Sequence, residues 1–159
     1  MRDILINTLL TVIDGLYARL PQPRPNAQQL KACKIISHRG EHDNHTVFEN
    51  TLAAFRQARD KGVWGIECDI RWTRDLVPVI HHDADGSRVF GNNLSIARCD
   101  FRELRAQMPL VPTLAELVAE FGGSTHLMLE IKQESYPQPE RQARILAELL
   151  GDLTPESDY

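Results

Sequence analysis

A chain of 159 residues, 42% hydrophobic and 25% charged, has the balance of one ordinary globular domain with enough apolar material for a core, which excludes disorder, collagen-like repeats and a multi-domain array. Eighteen Lys and Arg against twenty-two Asp and Glu leave a net charge of -4, so a nucleic acid backbone would meet no general attraction. The three cysteines, Cys33, Cys68 and Cys99, form neither the close pairs of a zinc site nor an even disulfide framework, which points to a reducing compartment, the cytoplasm.

The first expected element is an amphipathic helix over residues 1–20. Ile6, Leu9, Leu10, Ile13, Leu16, Tyr17 and Leu20 recur at helical spacing, while Asp3, Asn7, Thr11, Asp14 and Arg19 fall on other faces. Polar interruptions at Asp3, Asn7 and Asp14 exclude a signal peptide and a membrane span. The apolar stripe is expected to dock on the rest of the chain or on a sister subunit of a homo-oligomer; a membrane surface is less favoured, because the polar face lacks Lys and Arg. Pro21, Pro23 and Pro25 then open a Pro-rich linker over 21–33.

From residue 34 onward, strands and helices alternate. A strand over 34–37 is followed by a helix that Asn50-Thr51 caps, that carries Leu52, Phe55 and Ala58, and that stops at Lys61-Gly62. A second strand covers 64–70, with 77–80 as its hairpin-like extension. Residues 84–108 read as irregular apart from a short helix near 100–106. Pro112-Thr113 opens a helix through Leu114, Leu117, Val118 and Phe121 to Gly122-Gly123, a third strand runs over 126–131, and a last helix spans 139–150 and stops at Gly151. Such alternation implies a parallel sheet of the α/β class. Three βα units amount to about three-eighths of a (β/α)8 TIM barrel, so 34–159 is expected to be the N-terminal part of one, with 152–159 loop-like where a fourth strand is due.

Polar residues cluster at the carboxyl ends of the three strands, where sites form in parallel α/β folds. Glu67 and Asp69 are two apart on a strand and so share a face, inward if Ile66, Cys68 and Ile70 face the helices. Two adjacent carboxylates repel unless a hard divalent cation lies between them, and Glu130 on the next strand offers a third oxygen ligand; magnesium or calcium is expected. Lys132 shares the face of Glu130 and places a positive charge beside the carboxylates, or makes a structural ion pair. Arg39 presents a fork suited to a phosphate oxygen. His38 can pair with His81 or His82 as base and acid, and spacing alone does not separate those two. His42, His45, His81 and His126 otherwise read as surface or hydrogen-bonded histidines.

The ordered set His38-Arg39-Gly40, Glu49-Asn50-Thr51-Leu52-Ala53-Ala54-Phe55, Gly65-Ile66-Glu67-Cys68-Asp69, Thr73-Arg74-Asp75, Pro78-Val79-Ile80-His81-His82-Asp83 and Glu130-Ile131-Lys132 resembles the glycerophosphodiester phosphodiesterase family over residues 35–150. The resemblance implies a metal-dependent TIM-barrel enzyme of lipid and glycerol metabolism that cleaves a small glycerophosphodiester to sn-glycerol 3-phosphate and an alcohol through a cyclic phosphate. It places the acid/base pair on His38 and His82, metal ligands on Glu67, Asp69 and Glu130 with Glu49 nearby, and phosphate contacts on Arg39 and Lys132. Alternatives are a lysophospholipase D-like relative and a non-catalytic fragment that needs its missing half and self-associates. Phe48 stands where the family usually has Pro, the loop 41–47 is long, and only Arg88 keeps the pattern after Asp83. The family's late pocket residues have no counterpart before Tyr159.

Overall fold

The computed structural model describes residues 2–21 and 23–159. Met1 and Gln22, the first residue of the expected helix and the second of the expected linker, lie outside the described residues, as do the side chains of Asp3 and Asn7. The chain divides into two compact units, residues 1–33 and 34–159.

In the first unit α1 spans Arg2–Tyr17, three residues short of the expected end. Leu9, Leu10, Ile13, Leu16 and Tyr17 are exposed, and so is Val12, which the expected stripe left out. The expected linker also holds structure: α2, Ala27–Lys31, starts at Asn26, whose side chain accepts the Gln29 N–H while Gln29 accepts the Asn26 N–H. This capping box replaces two lost backbone partners and stops the extended run set by the prolines.

The second unit is an α/β fold built on one long strand. β1 (Ile36–His38) pairs in parallel with β2 (Gly65–Trp72), His38 facing Glu67. β6 (His126–Ile131), as expected, pairs in parallel along β2 from Gly65↔His126 to Ile70↔Ile131. β3 (Pro78–Ile80) runs antiparallel to the end of β2, which confirms the hairpin-like extension. α3 (Leu52–Asp60) follows β1, with Thr51 accepting the Ala54 N–H. α6 (Leu114–Phe121) starts at a reciprocal Thr113–Glu116 cap, and α7 (Pro139–Leu149) follows β6. Ile66, Cys68 and Ile70 of β2 are buried against Phe55 and Ala58 of α3 and Leu114, Leu117 and Phe121 of α6. Alternation then sends Glu67, Asp69 and Arg71 to the opposite face.

Two expectations need correction. The first strand is 36–38 rather than 34–37: Ile35 is exposed, and the polar His38 continues the ladder because Glu67 lies beside it. Residues 84–108 are not irregular. They form β4 (Asp85–Gly86), α4 (Ser87–Phe90), β5 (Asn92–Ser95), a 3-10 turn and α5 (Phe101–Gln107), the last being the short helix expected near 100–106, around a separate core of Val79, Ile96, Cys99, Leu104, Met108 and Val111. Elements of two to four residues are too short for a period to register. The final residues fold back, Asp158 O accepting Leu127 N at 2.8 Å from β6, with Leu153 and Tyr159 packed on the main core.

Gly40, between β1 and α3, has φ +80°, and a Cβ there would lie 2.8 Å from the Ala54 backbone and 2.9 Å from Phe55. Gly40→Ala is therefore expected to lose about 2–4 kcal/mol of stability, from left-handed strain plus overpacking. Chemical denaturation checks this; an unchanged midpoint would mean that α3 moves freely.

Candidate active site

β2 and β6 bring three carboxylates together, because Asp69 faces Glu130 across the parallel ladder and Glu67 precedes Asp69 by one full strand period. Oxygens of Glu67, Asp69 and Glu130 all lie within 4.8 Å of one another. Glu67 is nearly buried, Asp69 fully buried and Glu130 exposed. Among the described residues Glu67 Oε1 has no hydrogen-bond partner, and Asp69 Oδ1 has only an ion pair with Lys132 Nζ at 3.3 Å. Burial and the neighbouring Asp69 charge push the Glu67 carboxyl above its usual range. An all-oxygen donor set with two such atoms fits a hard cation.

Around the trio stand the other expected residues. His38 Nε2 lies 3.8 Å from Glu67 Oε2, with its side chain largely open to solvent. Arg39 adopts φ 58° and donates its backbone N–H to both Glu67 O and Glu67 Oε2 at 3.0 and 3.1 Å. Its guanidinium pairs with Glu49 at 3.0 Å and Asp69 at 3.4 Å. Lys132 Nζ donates to Glu130 Oε1 at 2.6 Å, which holds its ammonium above the usual value. Both expected phosphate contacts are thus engaged with carboxylates.

Glu49 is buried and doubly clamped. Arg88 donates to its two oxygens at 2.8 and 2.6 Å, Asn44 adds 2.8 Å, and Arg39 completes the set. Bonds from Arg88, offsetting burial, hold the Glu49 carboxyl far below its usual range. Arg88 Nε also reaches Asp83 at 2.6 Å, and Asp83 meets His82 Nδ1 at 2.7 Å. Although burial alone would raise Asp83, these two bonds keep it low. On the side of its imidazole, His82 is linked to the trio through this chain of Asp83, Arg88, Glu49 and Arg39. His81 is buried instead, stacked on Phe90 with Nε2 against Asp85 O at 3.0 Å, which separates the two histidines that spacing left equivalent.

Sequence reading missed Asn50 and underused Arg88. Asn50, at φ 55°, donates to Asp69 Oδ2 at 2.8 Å and orients that carboxylate. A lone Asn before a helix cap reads as capping, and its second role has no local signal.

A carboxylate cluster at the carboxyl ends of parallel strands, ringed by His, Arg and Lys, is an arrangement that could hold a cation beside an anion, at the end of the sheet where α/β folds place their sites. The family model described as "Glycerophosphoryl diester phosphodiesterase family" matches residues 38–150, and the chain belongs to that family. It is 28% identical over 151 residues to "Glycerophosphodiester phosphodiesterase 1" of Bos taurus, covering 84% of this chain and 45% of the bovine one. It is 34% identical over 118 residues to the Homo sapiens protein of that name, covering 62% and 35%. A glycerophosphodiester phosphodiesterase from Thermotoga maritima superposes with a TM-score of 0.65 at 28% identity over 77% of this chain and 51% of its own. An Oleispira antarctica phosphodiesterase solved in complex with the product sn-glycerol-3-phosphate gives 0.60 at 27% identity, over 78% and 54%. The chain spans about half the length of these solved relatives, or less of the mammalian ones. No helix among the described residues is long and apolar enough to cross a membrane.

Proposed function

We propose that the chain carries the metal-binding and phosphate-binding part of a (β/α)8 barrel enzyme that hydrolyses small glycerophosphodiesters to sn-glycerol 3-phosphate and an alcohol, in lipid and glycerol metabolism. The convergence of Glu67, Asp69 and Glu130 beside His38, inside the family-matched segment, carries the reading. These carboxylates would hold Mg2+ or Ca2+, which when bound neutralises phosphoryl charge and acidifies an attacking hydroxyl. Arg39 and Lys132 turn from their carboxylate partners to the phosphoryl oxygens. Two imidazoles carry protons: of His38 and His82, one takes the proton of the attacking glycerol hydroxyl as its oxygen bonds to phosphorus, and the other protonates the departing alcohol oxygen. Water then opens the cyclic phosphate with the roles reversed.

In this reading residues 34–159 form the partial barrel, 21–33 connect to it, and α1 (Arg2–Tyr17) is an amphipathic helix whose apolar stripe is free to meet a second copy; the free cysteines favour the cytoplasm. A second reading, a fragment that needs further segments to turn over, draws support from β6: apart from Leu127 N, its outer edge meets no strand among the described residues. Incubating the chain with glycerophosphocholine and Mg2+ or Ca2+ and measuring sn-glycerol 3-phosphate tests both. Cation-dependent product supports the enzyme, no product favours the fragment, and product undiminished by chelator removes the metal from the reading.

A further inference from the structure

Arg71 is third in the row that Glu67 and Asp69 begin on one face of β2. Its guanidinium, 12% exposed, donates Nε to His82 O at 2.8 Å and Nη1 to Glu134 Oε2 at 2.9 Å. The second Glu134 oxygen accepts Trp72 N at 3.0 Å. That N–H needs a partner because β6 ends at Ile131 opposite Ile70, and the last backbone bond on that edge runs from Lys132 N to Ile70 O at 3.3 Å. Where the strand stops, a carboxylate continues its ladder. Tyr136 OH donates to Lys132 O, closing the same loop on itself. The His82 carbonyl likewise lies beyond the β2–β3 ladder, whose Ile70↔Ile80 rung is followed by His81 N to Asp69 O at 2.9 Å.

We infer that Arg71 and Glu134 are positioning residues. Together they clamp the main chain of His82 and the loop of Lys132 to the end of β2, and thereby aim the His82 imidazole. A planar guanidinium reaches two acceptors at fixed angles, which an ammonium cannot copy. Because Asp83 holds His82 Nδ1 from the adjacent position, the ring follows its own backbone. The assignment rests on the proton-carrying role proposed for His82.

The test is NMR of the 159-residue chain with Mg2+ at one fixed pH, the His82 Hε1 signal being identified by its loss in His82→Gln. In Arg71→Gln and in Glu134→Gln that signal shifts or broadens while the His126 signal stays. The double variant moves it no further than the larger single change, and Arg71→Lys does not restore it. In steady-state hydrolysis kcat falls roughly 10-fold or more with KM and cation-dependent thermal protection unchanged. An unmoved His82 signal in both single variants overturns the clamp, as does a parallel loss of folding and cation binding in the milder Glu134→Gln. If the unsubstituted chain hydrolyses nothing, the enzyme reading fails while the His82 signal still decides the clamp.

Discussion

Turnover of a glycerophosphodiester is expected to fall at least ~10²-fold in His38→Ala and in His82→Ala, because the proposed reaction has each side chain move one proton. The two losses have different surroundings. His82 is held by Asp83, itself fixed by Arg88, so that Nε2 is the atom left to work and an imidazolium formed there meets a carboxylate. His38 stands largely in solvent, 3.8 Å from Glu67, and its removal also takes a neighbouring imidazole away from the carboxylate trio. His82→Ala should therefore leave cation binding intact, whereas His38→Ala should alter it slightly. Steady-state kinetics on the active protein decides; near-normal turnover in either variant removes that residue from the mechanism.

Divalent cation is expected to raise the melting temperature of the chain, and replacing Glu67, Asp69 or Glu130 by its amide should abolish that rise. Binding to the native state contributes about 2.7 kcal/mol when the cation is 100-fold above Kd, which a thermal scan resolves easily. Glu67→Gln carries a second, opposite effect. Burial and Asp69 raise the Glu67 carboxyl in the folded chain above its unfolded value, so the fold favours the protonated form. That stabilisation is full at low pH and is lost as pH rises through the folded value. At neutral pH without cation, Glu67→Gln should thus melt higher than the unsubstituted chain, and the gap should close on acidification. Proton and cation compete for the same oxygens, so protection by cation weakens over the same acid range. Protection that persists in all three amide variants would dispose of the metal site.

Much of the frame was legible because it rests on local chemistry. Thr51 and Thr113 announce helices through their caps, Gly62 ends one, and the apolar alternation through 126–131 gives β6 residue for residue. The carboxylate trio was legible for a similar reason, since a period of two fixes which side chains share a face. What resisted was set by distance in the chain. Arg88 reaches Glu49 across 39 residues and Asn50 reaches Asp69 across 19, and neither partner marks the other in sequence. The engagement of Arg39 and Lys132 by carboxylates is likewise a property of the assembled sheet.

The division of β2 into an apolar face of Ile66, Cys68 and Ile70 and a charged face of Glu67, Asp69 and Arg71 has a consequence for assembly. A slip of one residue along either neighbour would drive two carboxylates and a guanidinium in among Phe55, Leu117 and Phe121, and leave Arg39, Asn50 and Lys132 facing apolar side chains in place of the acids they bind. No misaligned sheet survives that exchange. The groups that would grip the cation thus also police the pairing of the strand that carries them, so a chain folded well enough to persist already has its ligands on the correct side.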